Sequence, residues 1–293
     1  MNFQKIDIHV HTREEKSLNR PGTDETYPTP NELRLMYDAL GIEKGLLLPG
    51  ICASGGHHIQ SNEEACRIVR DHPDTFFWFC NISPAMGSNS PDADLSYFLE
   101  YYKALGAKGV GEITINLPML DPLVQNLFTH CEKNNMPVTI HIAHRQYGVY
   151  GLIDGLGLPG LEATLARFPD LVILGHSQCF WSEISADVTE DSRSGYPAGD
   201  VVPGRVVELM IKYPNLHGDL SANSGGNAVM RDESFGIDFL EEFQDRLYFG
   251  TDICAPSNHF GLSSWLDEKL AVGKLTEKAH RNICRDNALR LLK

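Results

Sequence analysis

The sequence predicts an α/β protein folded as one (β/α)8 barrel of the TIM type, and three observations predict it. Eight short apolar runs recur along the chain, mostly 30 to 44 residues apart. Each is followed by a loop and then a stretch with helical signatures, the pattern of a parallel sheet built from strand–helix crossovers. Polar residues of metal-ligand type stand at the carboxyl ends of five of these runs, where barrels of this kind carry their active sites.

The runs are Lys5–Val10, Lys44–Leu48, Phe76–Ile82, Ala107–Ile113, Val138–Ile142, Leu171–Gly175, Leu216–Leu220 and Leu247–Gly250. They are short, rich in Val, Ile and Phe, and apolar nearly throughout, which suits strands buried on both faces. Between them, Thr29-Pro30-Asn31-Glu32 opens a helix with an N-cap threonine, a proline at the first helical position and a glutamate at N3. Gly41 closes that helix as a C-cap glycine. Ser61-Asn62-Glu63-Glu64 starts a second with a capping box, and it ends before Pro73. Further helices are predicted at Leu95–Leu105, Pro122–Asn134, Gly160–Phe168, Gly204–Tyr213 and Phe235–Phe243, with a long helical tail over Ser263–Leu292. Eight such units close into a barrel; an open doubly wound sheet is the competing arrangement. No Gly-x-Gly-x-x-Gly turn follows any run, so a dinucleotide site has no support. With no internal repeat, low-complexity tract or linker, residues 1–293 read as a single domain.

Composition narrows the function. With 42% hydrophobic and 22% charged residues, the chain is neither disordered nor fibrous. Its 39 acidic and 25 basic residues give a formal charge of −14. That disfavours a broad electropositive face for nucleic acid or anionic lipid, although a local basic pocket stays open. Seven cysteines without a Cys-x-x-Cys pair argue against a disulfide framework or a thiolate zinc cluster. Asp7 interrupts any signal-peptide core, and the longest apolar runs fall far short of the roughly 18 residues a membrane span needs. The expected setting is cytoplasmic, with a small-molecule substrate, no nucleic acid or membrane partner, and a homo-oligomer left open.

The chemistry lies at the run ends. The first run ends in His9-Val10-His11, the fourth in Gly111-Glu112 and the fifth at His141; the sixth continues into His176 and the eighth into Thr251-Asp252. Residues two apart on a strand project to the same face, so His9 and His11 can aim at one ion. Two histidines on an outward face would give the same local pattern. Four histidines, a glutamate and an aspartate at five equivalent places make the metal reading the stronger one.

These residues resemble the metal signature of the amidohydrolase superfamily, and the resemblance spans the chain. It rests on Ile-Asp-Ile-His9-Val-His11, His141, His176 and Phe-Gly-Thr-Asp252, with the ending Asn282-Ile-Cys-Arg-Asp-Asn287-Ala-Leu-Arg-Leu-Leu. The most similar branch is the amidohydrolase-related one, which contains both hydrolases and metal-dependent decarboxylases. The resemblance implies that His9, His11 and Asp252 bind the more buried metal. It implies that His141 and His176 either bind a second metal or divide into one ligand and one substrate-polarising base. Many two-metal members carry a carboxylated lysine on the fourth strand; here Lys108 lies at the wrong end, and Glu112 takes the bridging place. A purely structural role for Glu112 is the alternative. The implied cofactor is a divalent ion, zinc with manganese as the alternative, one or two per chain. Such an ion acidifies its bound water and polarises a substrate oxygen. Asp252 would then act as general acid–base and His176 would stabilise the developing oxyanion.

Weaker candidates surround this set. Arg145 and His144 follow the fifth run, where an arginine can clamp a substrate carboxylate, and Arg13 after the first run has the same standing. Each could equally be a solvated loop residue. His57 and His58 read as plain loop residues near the mouth. His217 and Asp219 share a side of the seventh run, and Asp219 can support a ligand from behind. His72, His130 and His280 fall on helices or their ends and read as structural, while Cys179 and Cys254 read as small packing residues. Three long connections, 12–28, 177–203 and 221–234, bring Tyr27, Trp181 and Tyr196 towards the mouth, with Tyr150 nearby. The leading function is hydrolysis of an amide, lactone or ester of a small molecule. Metal-dependent decarboxylation of an aromatic or unsaturated acid is second, and a TatD-like phosphodiesterase third.

Overall fold

Eight parallel strands ring the centre of the protein in the computed structural model, which describes residues 3–293. In chain order the first half runs β1 (Lys5–Val10), α1 (Pro30–Leu40), β2 (Ile42–Leu47), α2 (Asn62–Asp71), β3 (Phe76–Trp78), α3 (Ser96–Ala104), β4 (Val110–Ile113) and α4 (Pro122–Lys133). Next come β5 (Val138–Ala143), a two-residue β6 (Leu152–Ile153), α5 (Pro159–Arg167), β7 (Ile173–His176), α6 (Gln178–Trp181) and α7 (Arg205–Lys212). The chain ends with β8 (Leu216–Asp219), α8 (Ala222–Met230), α9 (Glu233–Glu242), β9 (Leu247–Tyr248), α10 (Leu262–Ala271), α11 (Glu277–Arg281) and α12 (Asn287–Leu291).

The strands pair in parallel in the orders β1-β2-β3 and β4-β5-β7-β8-β9, with β6 added beside β5. Backbone hydrogen bonds close both seams. Lys108 N–H donates to Trp78 O at 2.9 Å and Gly111 N–H to Cys80 O at 2.9 Å, joining β3 to β4. Ile8 N–H donates to Phe249 O at 3.0 Å and His11 N–H to Ile253 O at 2.9 Å, joining the end of the ring to its beginning. The barrel predicted from the eight apolar runs is the fold.

Local signals account for several elements. Thr29 accepts from Glu32 N–H while the Glu32 carboxylate accepts from Thr29 N–H, and Gly41 adopts φ 68° at the other end of α1. At α2 only half of the expected capping box forms: Ser61 accepts from Glu64 N–H. β3 stops at Trp78 instead of Ile82, because beyond it the chain keeps a single bridge, Cys80 to Val110. The expected continuous tail is broken: α10 ends at Ala271, Gly273 turns the chain at φ 73°, and Thr276 caps α11 afresh. A five-residue π-helical turn, Asn282–Asp286, then leads into α12. The connection 221–234 is not a plain loop, since it holds α8. Its Ser, Asn and Gly content disguises it, yet the glycines serve packing. A Cβ on Gly225 would lie 2.3 Å from Leu220 C, and one on Gly236 in α9 would lie 1.8 Å from Val229 O.

Within β1 the pairing with β2 shifts register between Asp7 and Val10. Ile6 and Ile8 pack with Leu46, Leu48, Phe79 and Leu174, whereas Asp7 faces α1, accepting from Tyr37 OH at 2.7 Å. Past the shift His9 and His11 share one side, as bulged strands often redirect side chains at active sites. No helix among the described residues is long and apolar enough to cross a membrane.

Candidate metal centre

His9 and His11 bring their Nε2 atoms to 3.1 Å from each other. Each ring is held from behind: His9 Nδ1 lies 2.6 Å from Asp219 Oδ2, and His11 Nδ1 lies 2.9 Å from Leu48 O. A carboxylate and a carbonyl only accept, so both Nδ1 atoms donate, and in the neutral rings both Nε2 lone pairs face one point. Two lone pairs at that separation repel, and either a proton shared between the nitrogens or a cation held by both relieves the repulsion.

Two carboxylates face the same point. Glu112 Oε2 lies 3.7 Å from His9 Nε2 and 3.9 Å from His11 Nε2. Asp252 Oδ1 lies 3.6 Å and 3.3 Å from the same two atoms. Separations of this size suit donors that each approach one divalent ion at about 2.0–2.2 Å. The field agrees. Burial opposes a charge on His9, but the Asp219 and Asp252 carboxylates overcome it and hold its pKa well above the ordinary imidazole value.

Glu112 turns its other oxygen to a second group. Oε1 lies 2.7 Å from His141 Nδ1 and 3.9 Å from His176 Nε2. Burial alone would raise the pKa of Glu112; the neighbouring His141 charge and hydrogen bond outweigh it and hold the carboxyl well below its usual value. Two donor sets thus meet at one carboxylate: His9, His11 and Glu112, and Glu112, His141 and His176. His176 is buried, which lowers its pKa, and its Nδ1 lies 3.1 Å from Ser221 Oγ. All six residues singled out as ligands from sequence, His9, His11, Glu112, His141, His176 and Asp252, therefore meet at one place. Asp219 stands behind them, its charge held ionised by His9 and His176 against burial. The donor chemistry of these residues fits a divalent metal.

Asp252 reaches the cluster from just beyond β9 in the left-handed region, at φ 55°, which aspartate tolerates better than most residues. Its N–H donates to His9 O at 2.8 Å. Preceding it, Thr251 donates through Oγ1 to Asp7 Oδ2 at 2.6 Å and through its N–H to Asp7 Oδ1 at 2.8 Å. Buried Asp7 thus pins the approach of Asp252 to β1.

The matching family model is Amidohydro_2, described as amidohydrolase, and it spans residues 6–293. The chain belongs to the amidohydrolase family. Solved structures share the fold at low identity. An uncharacterised TIM-barrel protein from Bordetella bronchiseptica is 19% identical, with TM-score 0.65 and 99% of this chain and 98% of that chain covered. A probable 2-pyrone-4,6-dicarboxylic acid hydrolase from Acinetobacter baumannii, with citric acid bound, is 12% identical, with TM-score 0.59 and 99% of each chain covered. A dihydroxybenzoic acid decarboxylase from Polaromonas, with bound manganese and the inhibitor 2-nitroresorcinol, is 15% identical, with TM-score 0.57 and coverages of 99% and 97%. No curated protein matches the sequence. The family match marks an enzyme of the amidohydrolase superfamily, and the His, Glu and Asp cluster fits a divalent-metal site.

The remaining predicted residues scatter around this amidohydrolase centre. His144 borders a cleft of about 370 Å³ that also touches His141, Tyr150, Gln178 and Cys179; its Nδ1 lies 3.7 Å from Cys179 Sγ. Arg145 is exposed. Arg13 is committed to Glu64, with Nη2 to Oε2 at 3.2 Å, and to His58 at 3.2 Å. His57 and His58 pack tilted against Tyr27, with ring centroids 5.8 and 5.1 Å away. Asp219 joins the centre, but His217 does not: it stacks on Tyr248 and hydrogen-bonds its hydroxyl at 2.7 Å. His130 pairs with Ser96 and His280 with Asp267, both away from the centre. Cys254 is more than packing, since Arg20 Nη1 lies 2.7 Å from its sulfur.

Arg20 is the residue that sequence reasoning missed. Its guanidinium feels Cys254, Tyr27 and Tyr150 together, and Tyr150 packs its ring 4.4 Å from that of His141. It also lines a second opening of about 420 Å³ with His57, Ser257 and Asn258. A cation in a long loop of an acidic chain was the available signal, but its 234-residue separation from Cys254 hides where it lands.

Proposed function

We propose that the chain is a metal-dependent hydrolase that opens an amide, lactone or ester bond in a small carboxylate-bearing organic molecule, with zinc the expected cation and manganese the alternative. The observation that carries the reading is the divided Glu112 carboxylate, one oxygen towards His9 and His11 and the other towards His141 and His176. A two-ion centre of this kind suits attack by water.

When bound, the cation supplies acidified water and a Lewis acid for the substrate oxygen. Asp252, its side chain 24% exposed and therefore reachable, takes the proton from the attacking water and returns it to the leaving group. His176, kept neutral by burial, would hold the second ion through its Nε2 lone pair or, at a one-ion centre, offer an N–H to the oxygen that gains charge. Burial raises the pKa of both Tyr27 and Tyr150, so both phenols stay protonated and donate hydrogen bonds to a ligand. Arg20 supplies the positive charge for a substrate carboxylate.

Decarboxylation of an aromatic or unsaturated acid is the second reading. It is favoured by the aromatic wall of Tyr27 and Tyr150 beside the centre. Panels of lactones, esters, amides and carboxylic acids, assayed for carboxylate product (by proton release for esters and lactones, by freed amine for amides) and for carbon dioxide with the zinc- and manganese-loaded protein, separate the two. Acid release without carbon dioxide supports hydrolysis. Stoichiometric carbon dioxide from an intact acid replaces it with a lyase.

A further inference from the structure

Arg231 follows α8 with its guanidinium nitrogens buried and no carboxylate within ion-pair distance among the described residues. Its Nε, Nη1 and Nη2 are all buried, and none has a hydrogen-bond partner among the described residues. Arginine does not shed its proton, and a buried charge left unpaired is strongly destabilising. The side chain borders a small cavity between α8 and the segment that follows β7. Gln178, Ser182, Tyr196, Ser224 and Asn227 line that cavity, which has amides and hydroxyls but no carboxylate. Asp232, the next residue, keeps its charge and feels Arg231, but it does not hydrogen-bond the guanidinium: its oxygens accept from Val201 N–H at 3.0 Å and Phe235 N–H at 3.2 Å.

We propose that Arg231 is the centre of an anion-binding site for a small inorganic monovalent ion of halide size. The unpartnered N–H donors call for an acceptor, the positive charge favours an anion, and the room limits its size. The cavity measures about 10 Å³, the space of roughly one water-sized sphere, which an organic carboxylate overfills. Tyr196 OH accepts from Gln178 Nε2 at 3.1 Å, which leaves its own proton free to turn towards the ion. Gln178 also lines the cleft beside His141. The bound ion therefore ties a wall of that cleft to α8.

The test is a thermal-melt titration of the intact, metal-loaded protein with sodium bromide against sodium gluconate at constant ionic strength. It is paired with anomalous diffraction from a bromide-soaked crystal. The expected result is a saturating rise of roughly 2–5 °C in bromide and an anomalous peak within hydrogen-bonding reach of Arg231. Arg231→Met should lose the bromide response while melting no lower than the parent in gluconate, because an apolar side chain replaces an unpaired charge. Should that variant fail to fold, the peak in the parent crystal decides alone. Equal melting in both salts with no peak at Arg231 would mean that water alone solvates the guanidinium, and the site would be overturned. Acetate that stabilises equally and displaces the bromide peak would overturn the halide assignment.

Discussion

Asp219 Oδ2 lies 2.6 Å from His9 Nδ1, with both side chains fully buried. This contact fixes the tautomer that turns the Nε2 lone pair of His9 towards His11. Supports of this kind typically change metal affinity about 10–100-fold. Asp219→Ala is therefore expected to lower zinc affinity by that factor in a chelator competition, with a loss of stability from the unpaired imidazole. Unchanged affinity would remove Asp219 from the account.

Asp252 differs from Asp219 in being reachable from solvent. As the proton-transfer group, its replacement in Asp252→Asn should reduce kcat by about 10²–10⁴-fold while the melting temperature stays close to that of the parent. Near-normal turnover would defeat the assignment.

Arg20 should act on binding more than on chemistry. A charge-assisted hydrogen bond contributes about 1.5–3 kcal/mol, so Arg20→Ala should raise KM for a carboxylate substrate roughly 10–100-fold. For an uncharged analogue of the same substrate KM should barely move. Equal losses for both would make Arg20 a structural prop for Cys254 and the loop that carries it.

His217 gives the protein an acid sensitivity that does not involve the metal cluster directly. Burial, helped by the Arg246 charge, lowers its pKa from 6.5 to about 3. The unfolded chain therefore binds a proton that the folded chain refuses. The stability this residue contributes is complete above pH 6.5 and is lost as pH falls towards about 3. Melting curves from pH 7 to pH 3.5 should show a shallower acid slope for His217→Gln than for the parent. Parallel slopes would show that other groups carry the acid loss.

The barrel was legible because parallel strands buried on both faces leave uniform apolar runs, and the ligands were legible because each ends such a run. His9, His11, Glu112, His141, His176 and Asp252 needed only strand position. Arg20 and Arg231 needed tertiary placement, since one reaches Cys254 at the seam that joins the last strand to the first and the other is enclosed by a segment far from it in sequence. The helix α8 was hidden because Gly225, chosen for a close approach to Leu220, weakens the helical pattern that would announce it. Local propensity gave way there to packing.

Metal analysis of protein purified after metal-replete expression tests the central claim most directly. The account predicts two equivalents of divalent metal per chain, falling to one or fewer in Glu112→Gln. One equivalent in the parent, unchanged by Glu112→Gln, would remove the bridging role of Glu112. A folded, metal-free protein that takes up neither zinc nor manganese would contradict the account as a whole.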